Sequence, residues 1–340
     1  MTPAIAAAAI EDFRETFAAI RAEVARAVIG HAQAIETILI AFFAGGHVLI
    51  EGVPGIGKTL IVRSLAEALN LSFNRIQFTV DLLPADITGT RIINEHPDGR
   101  RELGFVPGPI FAHLLLGDEI NRATPKTQSA LLEAMAEQQV TVAGSSYRLE
   151  APFFVLATLN PIEMEGTYQL PEAQLDRFLF KVVLEYPSEA ELVQILATTT
   201  VADPPAVRPV LPADRAAARV EELKRLVREV LVAPHVEHYV AALVRATTPA
   251  GARGEGEAES DVRRYVTYGA SPRGAQALII GAKVNALLEG RFNVAFEDIQ
   301  AVAAAALRHR LLFNFEGLAE GISPDALVND LLAAVRKTRN

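Results

Sequence analysis

The residues best suited to chemistry lie in the stretch GVPGIGKT, positions 52 to 59, where two glycines and a lysine-threonine pair follow the spacing Gly-x-x-x-x-Gly-Lys-Thr. Gly52, Gly55 and Gly57 let backbone amides converge on an anion, with Val53, Pro54 and Ile56 filling the positions between them. Lys58 is placed to reach the β and γ phosphates of a nucleotide and Thr59 to ligate Mg²⁺, while Leu60 continues into a helix. The flanks suit that chemistry. HVLI, residues 47 to 50, is a short apolar run of strand formers, and LIVRSLAEAL after the loop carries apolar residues at helical spacing. A flexible surface turn, the bland alternative, calls for neither flank.

A phosphate loop needs a metal-holding acid on a neighbouring strand, and HLLLGDE, residues 113 to 119, ends an apolar run in two carboxylates. Asp118 is suited to orient Mg²⁺ through water, and Glu119 to polarise the water that attacks a γ phosphate. Taken alone, such a pair equally suits the positive end of a following helix. Here the next helix starts later, with Thr124 as its cap and Pro125 in its first turn, so the carboxylates stay at the strand end. Asn160 closes the run FFVLATLN before Pro161, either holding the attacking water or forming an ordinary Asn-Pro turn. Arg177, in PEAQLDRFLF, is either a surface ion-pair partner or a finger that reaches a neighbouring subunit's nucleotide.

Five apolar runs must position these groups: 47 to 50, 72 to 79, 113 to 119, 153 to 160 and 178 to 184. Helical patterns between most of them predict an α/β fold with a five-stranded parallel sheet covered on both faces. Two insertions, about 82–110 and 139–152, read as hairpins, the first interrupting a helix. Ser188 and Glu191 stand at capping-box spacing and open a new helix after the last strand. This predicts a nucleotide-binding domain over 1–186 and a small helical lid over 187–340. Residues 249 to 261, rich in Gly and Glu, are expected to form a loop. His235 and His238 read as helix surface, and Arg308, His309 and Arg310 as a solvated helix end.

Composition narrows the function classes. Asp and Glu outnumber Lys and Arg by 41 to 32 in 340 residues, a formal charge of −9 that disfavours a general nucleic-acid or anionic-membrane binder. With no cysteine, disulfide frameworks and thiolate chemistry are excluded, and a reducing, cytoplasmic setting fits. The opening MTPAIAAAAI lacks a preceding cationic segment and reads as no signal peptide. The longest apolar stretch, ILIAFFAGGHVLI, is broken by Gly-Gly-His and falls short of the roughly 18 to 20 residues that span a bilayer.

The stretches IEGVPGIGKT, RIQFTVDLLPADITGT, FVPGPIFAHLLLGDEINRA, LATLNPIEMEGTYQLPEAQLDRF and YGASPRG together resemble the MoxR family of AAA+ ATPases, over about residue 10 to beyond 310. The resemblance implies hydrolysis of ATP with Mg²⁺, Asp118 and Glu119 as the Walker B acids, Asn160 as sensor 1 and Arg177 as a finger acting between subunits. It adds Arg273 as sensor 2, contacting the γ phosphate from the lid of the same subunit; the sequence sets it one step inside a helix that Ser271 caps and Pro272 begins. It also implies a ring, expected to be a hexamer, with both hairpins facing its opening. The implied output is chaperone-like remodelling or activation of a partner, often one with a von Willebrand factor A domain. A nucleic-acid-associated AAA+ motor is the alternative, which the acidic balance disfavours. This chain departs from the family pattern at Val80, where Pro is common, and at His31, where Gln is frequent in a segment near the adenine.

Overall fold

In the computed structural model, residues 3–95, 101–160, 167–203, 205–252 and 256–337 are described. The strands are β1 (Val48–Glu51), β2 (Phe73–Gln77), β3 (Gly89–Glu95), β4 (Arg101–Pro107), β5 (Leu114–Asp118), β6 (Gln139–Val142), β7 (Ser145–Arg148), β8 (Phe154–Leu159), β9 (Phe180–Val183), β10 (Val266–Tyr268) and β11 (Leu312–Phe313). All five expected core runs pair in parallel, in the order β2-β5-β8-β1-β9. Register sets Ile50 beside Thr158 and Gln77 beside Asp118, so the polar residues at the strand ends share one edge.

Period-two alternation divides the sheet between two cores. Leu114, Leu116, Phe154 and Leu156 face one, and Leu49, Leu115, Val155 and Ala157 the other. The first face is covered by α1 (Pro3–Ala27), α2 (Ala32–Ala44) and α3 (Lys58–Leu69). The second is covered by α4 (Pro84–Thr88) and α5 (Pro125–Glu137), which supplies Leu131, Leu132 and Met135. A short α6 (Glu172–Leu175) leads into β9.

After β9 come α7 (Glu189–Thr199), α8 (Ala216–Glu229), α9 (Pro234–Ala246), α10 (Glu257–Tyr265), α11 (Pro272–Leu288), α12 (Phe296–Leu307), α13 (Phe315–Ala319) and α14 (Pro324–Lys337). Ser188 and Glu191 form the reciprocal cap their spacing predicts, an arrangement worth about 1 kcal/mol at such sites. The first core continues without a break into α8, α9, α11 and α12, with Leu223, Leu243, Leu278 and Val302 buried in it. No helix among the described residues is long and apolar enough to cross a membrane.

Both insertions form antiparallel hairpins, β3 with β4 and β6 with β7. Of the helix expected to be interrupted by the first, only α4 on its amino side forms. The hairpins meet where Phe105 stacks on Tyr147, ring centroids 3.8 Å apart.

Two expectations fail. The loop foreseen over 249 to 261 gives way to α10 from Glu257, because Ala258, Val262 and Tyr265 recur at helical spacing and bury one face; residues 253–255 lie outside the described set. The triplet at 308 to 310 is not a solvated end: His309 and Arg310 are buried, and their side chains bond to backbone on the approach to β9. His235 and His238 lie on the exposed side of α9, His235 edge-on to Phe296.

His47, just before β1, is fully enclosed. Its Nδ1 accepts from the Val155 N–H at 3.0 Å and its Nε2 donates to the Met135 carbonyl at 3.3 Å, a neutral tautomer held from both sides. Burial pushes its pKa down from 6.5 to about 4. Between those values the unfolded chain holds the extra proton, so stability is full above about pH 6.5 and is lost as pH falls through about 4. The loss from this one group is on the order of 3 kcal/mol, and His309, also depressed by burial, adds to it in the same direction. Urea unfolding at a series of pH values should show this decline, and His47→Gln should flatten it; an equal decline in both proteins would refute the assignment.

Candidate functional site

The turn between β1 and α3 is shaped by backbone that only glycine adopts at little cost: Gly55 has φ +85° and Gly57 φ +92°. A Cβ at either position would meet nothing within 4 Å, so the loop encloses open space. Gly57 also caps α3 without a side-chain acceptor, which leaves the first amides of that helix without an intrahelical partner. Lys58 is buried, and its Nζ donates to the Gly52 carbonyl at 2.8 Å. Burial lowers its pKa, opposed by the charges of Asp118 and Glu119, which brings both acids within electrostatic reach of the ammonium. Thr59 is half-buried behind it, whereas Leu60 points outward. Uncapped amides, an enclosed cation and open space beside Gly55 and Gly57 fit a triphosphate with its metal.

The acids end β5. Asp118 Oδ1 accepts from Thr158 Oγ1 at 2.6 Å, and Oδ2 accepts from the Arg75 guanidinium at 2.6 Å. Thr158 Oγ1 in turn accepts from the Glu119 N–H at 2.8 Å, so one hydroxyl on β8 bridges the two acidic residues. Glu119 lies at φ 56°, a left-handed conformation costing a non-glycine residue about 1 kcal/mol or more, and its carboxylate accepts from Gln77 Nε2 at 2.7 Å. Arg122 stands 3.2 Å from that carboxylate. Asn160, directly after β8, is buried on the same edge; Pro161 lies outside the described residues.

Sequence reading passed over Arg75, Gln77 and Thr158. Alternation along β2 places Arg75 and Gln77 on one side, and Thr158 is the polar residue in an otherwise apolar strand. Those were the available signals.

Arg177 and Arg273 are not at this edge. Arg177 precedes β9 and donates to the Leu132 carbonyl at 2.6 Å. Arg273 sits in the first turn of α11, whose cap Ser271 bonds Asp176. Both arginines line a cavity of about 820 Å³ with Gly46 and His47, which precede β1, and Phe178 and Leu179, which precede β9. In a parallel sheet this is the amino edge of the strands, whereas the phosphate loop leaves the carboxyl edge. Arg273 therefore stands at the edge opposite its own phosphate loop, with the four residues of β1 between. His31, at φ 56°, is on the loop's side, its ring nitrogen 3.2 Å from the Ile56 carbonyl, and lines a second cavity of about 700 Å³ with Tyr186, Glu191 and Gln300.

A phosphate loop leaving a central parallel strand, with paired acids on the next strand but one and a helical lid, defines a P-loop ATPase of the AAA+ class. Residues 47–180 match the model of the ATPase family associated with various cellular activities, and residues 258–331 match the AAA lid domain. The chain is 42% identical to Chaperone MoxR1 of Mycobacterium tuberculosis, over 92% of this chain and 80% of that one. It is 35% identical to Protein MoxR of Methylorubrum extorquens, over 97% and 96% of the two chains. A crystal structure described as a "putative ATPase" from Cytophaga hutchinsonii superposes with a TM-score of 0.85 at 39% identity, covering 96% of each chain. The chain belongs to the MoxR family of AAA+ ATPases.

Gly57→Ala places a methyl in the cradle and forces a left-handed alanine, costing roughly 1–2 kcal/mol. Titration with a fluorescent ATP analogue should show affinity weakened about tenfold while the melting temperature falls only about 2–4 °C. Unchanged affinity would remove this loop from nucleotide binding.

Proposed function

We propose that this chain hydrolyses ATP with Mg²⁺ inside a ring of identical subunits, probed at a seam where one copy's phosphate loop meets the next copy's arginines. The observation that carries the reading is the separation of the two charge sets. Lys58 and the paired acids converge at the carboxyl edge, and Arg177 and Arg273 open into a cavity at the amino edge. Guanidinium groups on that side reach a triphosphate only if it belongs to another subunit. Both arginines then act between subunits.

In this reading Gly52 through Leu60 wrap the phosphates and Lys58 pairs with the β and γ oxygens. Thr59 and Asp118 are the groups that would hold Mg²⁺, which when bound supplies charge neutralisation on the phosphate oxygens. Glu119 accepts the proton of the attacking water, and the Asn160 amide fixes that water's position. For Glu119 to do so, its carboxylate must leave Gln77. Arg177 and Arg273 stabilise charge that grows on the transferred phosphoryl group. The adenine belongs beside His31.

The division into a nucleotide-binding unit, 1–186, and a lid, 187–340, is part of the same proposal, as are a hexameric ring and a cytoplasmic setting. The output would be chaperone-like action on a partner protein, in keeping with the name of the mycobacterial relative. A partner carrying a von Willebrand factor A domain is the expected kind.

Glu119→Gln should cut turnover at least about 100-fold and leave nucleotide binding intact; retained turnover would sink the assigned role. Separately, Arg177→Ala and Lys58→Ala subunits, each inactive alone, should regain hydrolysis when mixed, because a mixed seam pairs an intact loop with an intact arginine. No recovery at any ratio would count against the ring.

A further inference from the structure

The carboxylate of Asp176, adjacent in sequence to Arg177, has two partners from distant parts of the chain. Its Oδ1 accepts from Arg310 Nε at 2.8 Å and its Oδ2 from Ser271 Oγ at 2.8 Å. Ser271 caps α11 and accepts in turn from the Arg273 N–H at 3.0 Å. Two hydrogen bonds therefore run from the carboxylate beside one arginine to the backbone of the other.

Arg310 secures the same segment from below. Its side chain is 3% exposed, and beyond the ion pair it donates to the carbonyls of Asp176 at 3.2 Å, Phe178 at 2.8 Å and Leu179 at 3.1 Å, and also to that of Ala306. His309 Nε2 donates to the Phe178 carbonyl at 3.1 Å, and Arg308 to that of Lys181 at 3.2 Å. The backbone on both sides of Arg177 is thus bonded to the end of α12. Gly274, next to Arg273, admits this approach: a Cβ there would stand 3.1 Å from Arg310 Cδ.

Buried guanidinium is costly unless an anion faces it, and burial together with the positive charge of Arg273 pushes the pKa of Arg310 down, while Asp176 pushes it back up. The other charged groups facing this cluster are Arg177, Arg228, Lys283 and Glu237 around the cavity. Asp176 is the anion that bonds Arg310.

We propose that Asp176 is a positioning residue that locks Arg177 and Arg273 into one arrangement, so that both are presented together to the nucleotide of a neighbouring subunit. The proposal rests on the shared-seam reading above. Asp176 touches no substrate; it acts through the two arginines.

The test uses the full chain. Asp176→Asn keeps an acceptor for Arg310 but cannot accept from Ser271 with its amide nitrogen. Its turnover number should fall about tenfold or more, toward the roughly 100-fold that a 1 Å misplacement of a catalytic group can cost. Affinity for a fluorescent ATP analogue should stay within about twofold, since the phosphate loop is untouched. Mixed with Lys58→Ala subunits, Asp176→Asn should regain turnover; mixed with Arg177→Ala subunits, it should not.

Arg177→Ala with Lys58→Ala is the control. If that pair fails to recover, the shared seam is wrong and the proposal falls with it. If it recovers and Asp176→Asn with Lys58→Ala does not, the carboxylate serves its own subunit and only the proposal is overturned. Should Asp176→Asn not fold, Ser271→Ala removes the hydroxyl alone. Lower turnover restored by Ser271→Thr supports the link, and wild-type turnover in Ser271→Ala overturns it.

Discussion

Parallel pairing of the five central strands is the constraint from which the functional layout follows. When all strands run one way, every loop that leaves a strand emerges at one edge and every loop that enters emerges at the other. Lys58, Glu119 and Asn160 follow strands and Asp118 ends one, so they gather without any long-range device. Arg177 enters a strand and is assigned to the far edge by topology alone.

The lid follows the same constraint. Its helices share a core with α1 and α2, and Ser271 and Arg310 tie α11 and α12 to the segment that enters β9. Arg273 is thereby committed to the amino edge along with Arg177. A lid packed on the carboxyl edge would have given the opposite assignment, which is what resemblance alone implied.

How much was legible in the sequence depended on distance along the chain. The phosphate loop, the paired acids, the five strands, both hairpins and the Ser188 cap rest on neighbours within a few residues, and local spacing carries them. The partner of Arg310 is 134 positions away, so a run of three basic residues reads as solvated until the fold brings Asp176 to it. Arg75 reaches Asp118 across 43 positions, and only the strand register reveals the pair. Helix α10 was hidden for another reason: three apolar residues suffice to anchor one face, and the charges around them mask the period. The edge occupied by Arg273 depends on how helices far apart in sequence pack, which no local pattern encodes.

The contact between Arg75 and Asp118 gives the acid edge an electrostatic balance of its own. The aspartate has a counter-ion, tethered to the adjacent strand and sharing a second bond with Gln77, which holds Glu119. On the proposed role of Asp118, a divalent ion would compete with a guanidinium already paired to it, so its apparent affinity would reflect an exchange between two ion pairs and not the filling of a bare anionic hole. A guanidinium drawn off Asp118 would also be drawn off Gln77, whose amide holds the Glu119 carboxylate, so the two acids would respond together.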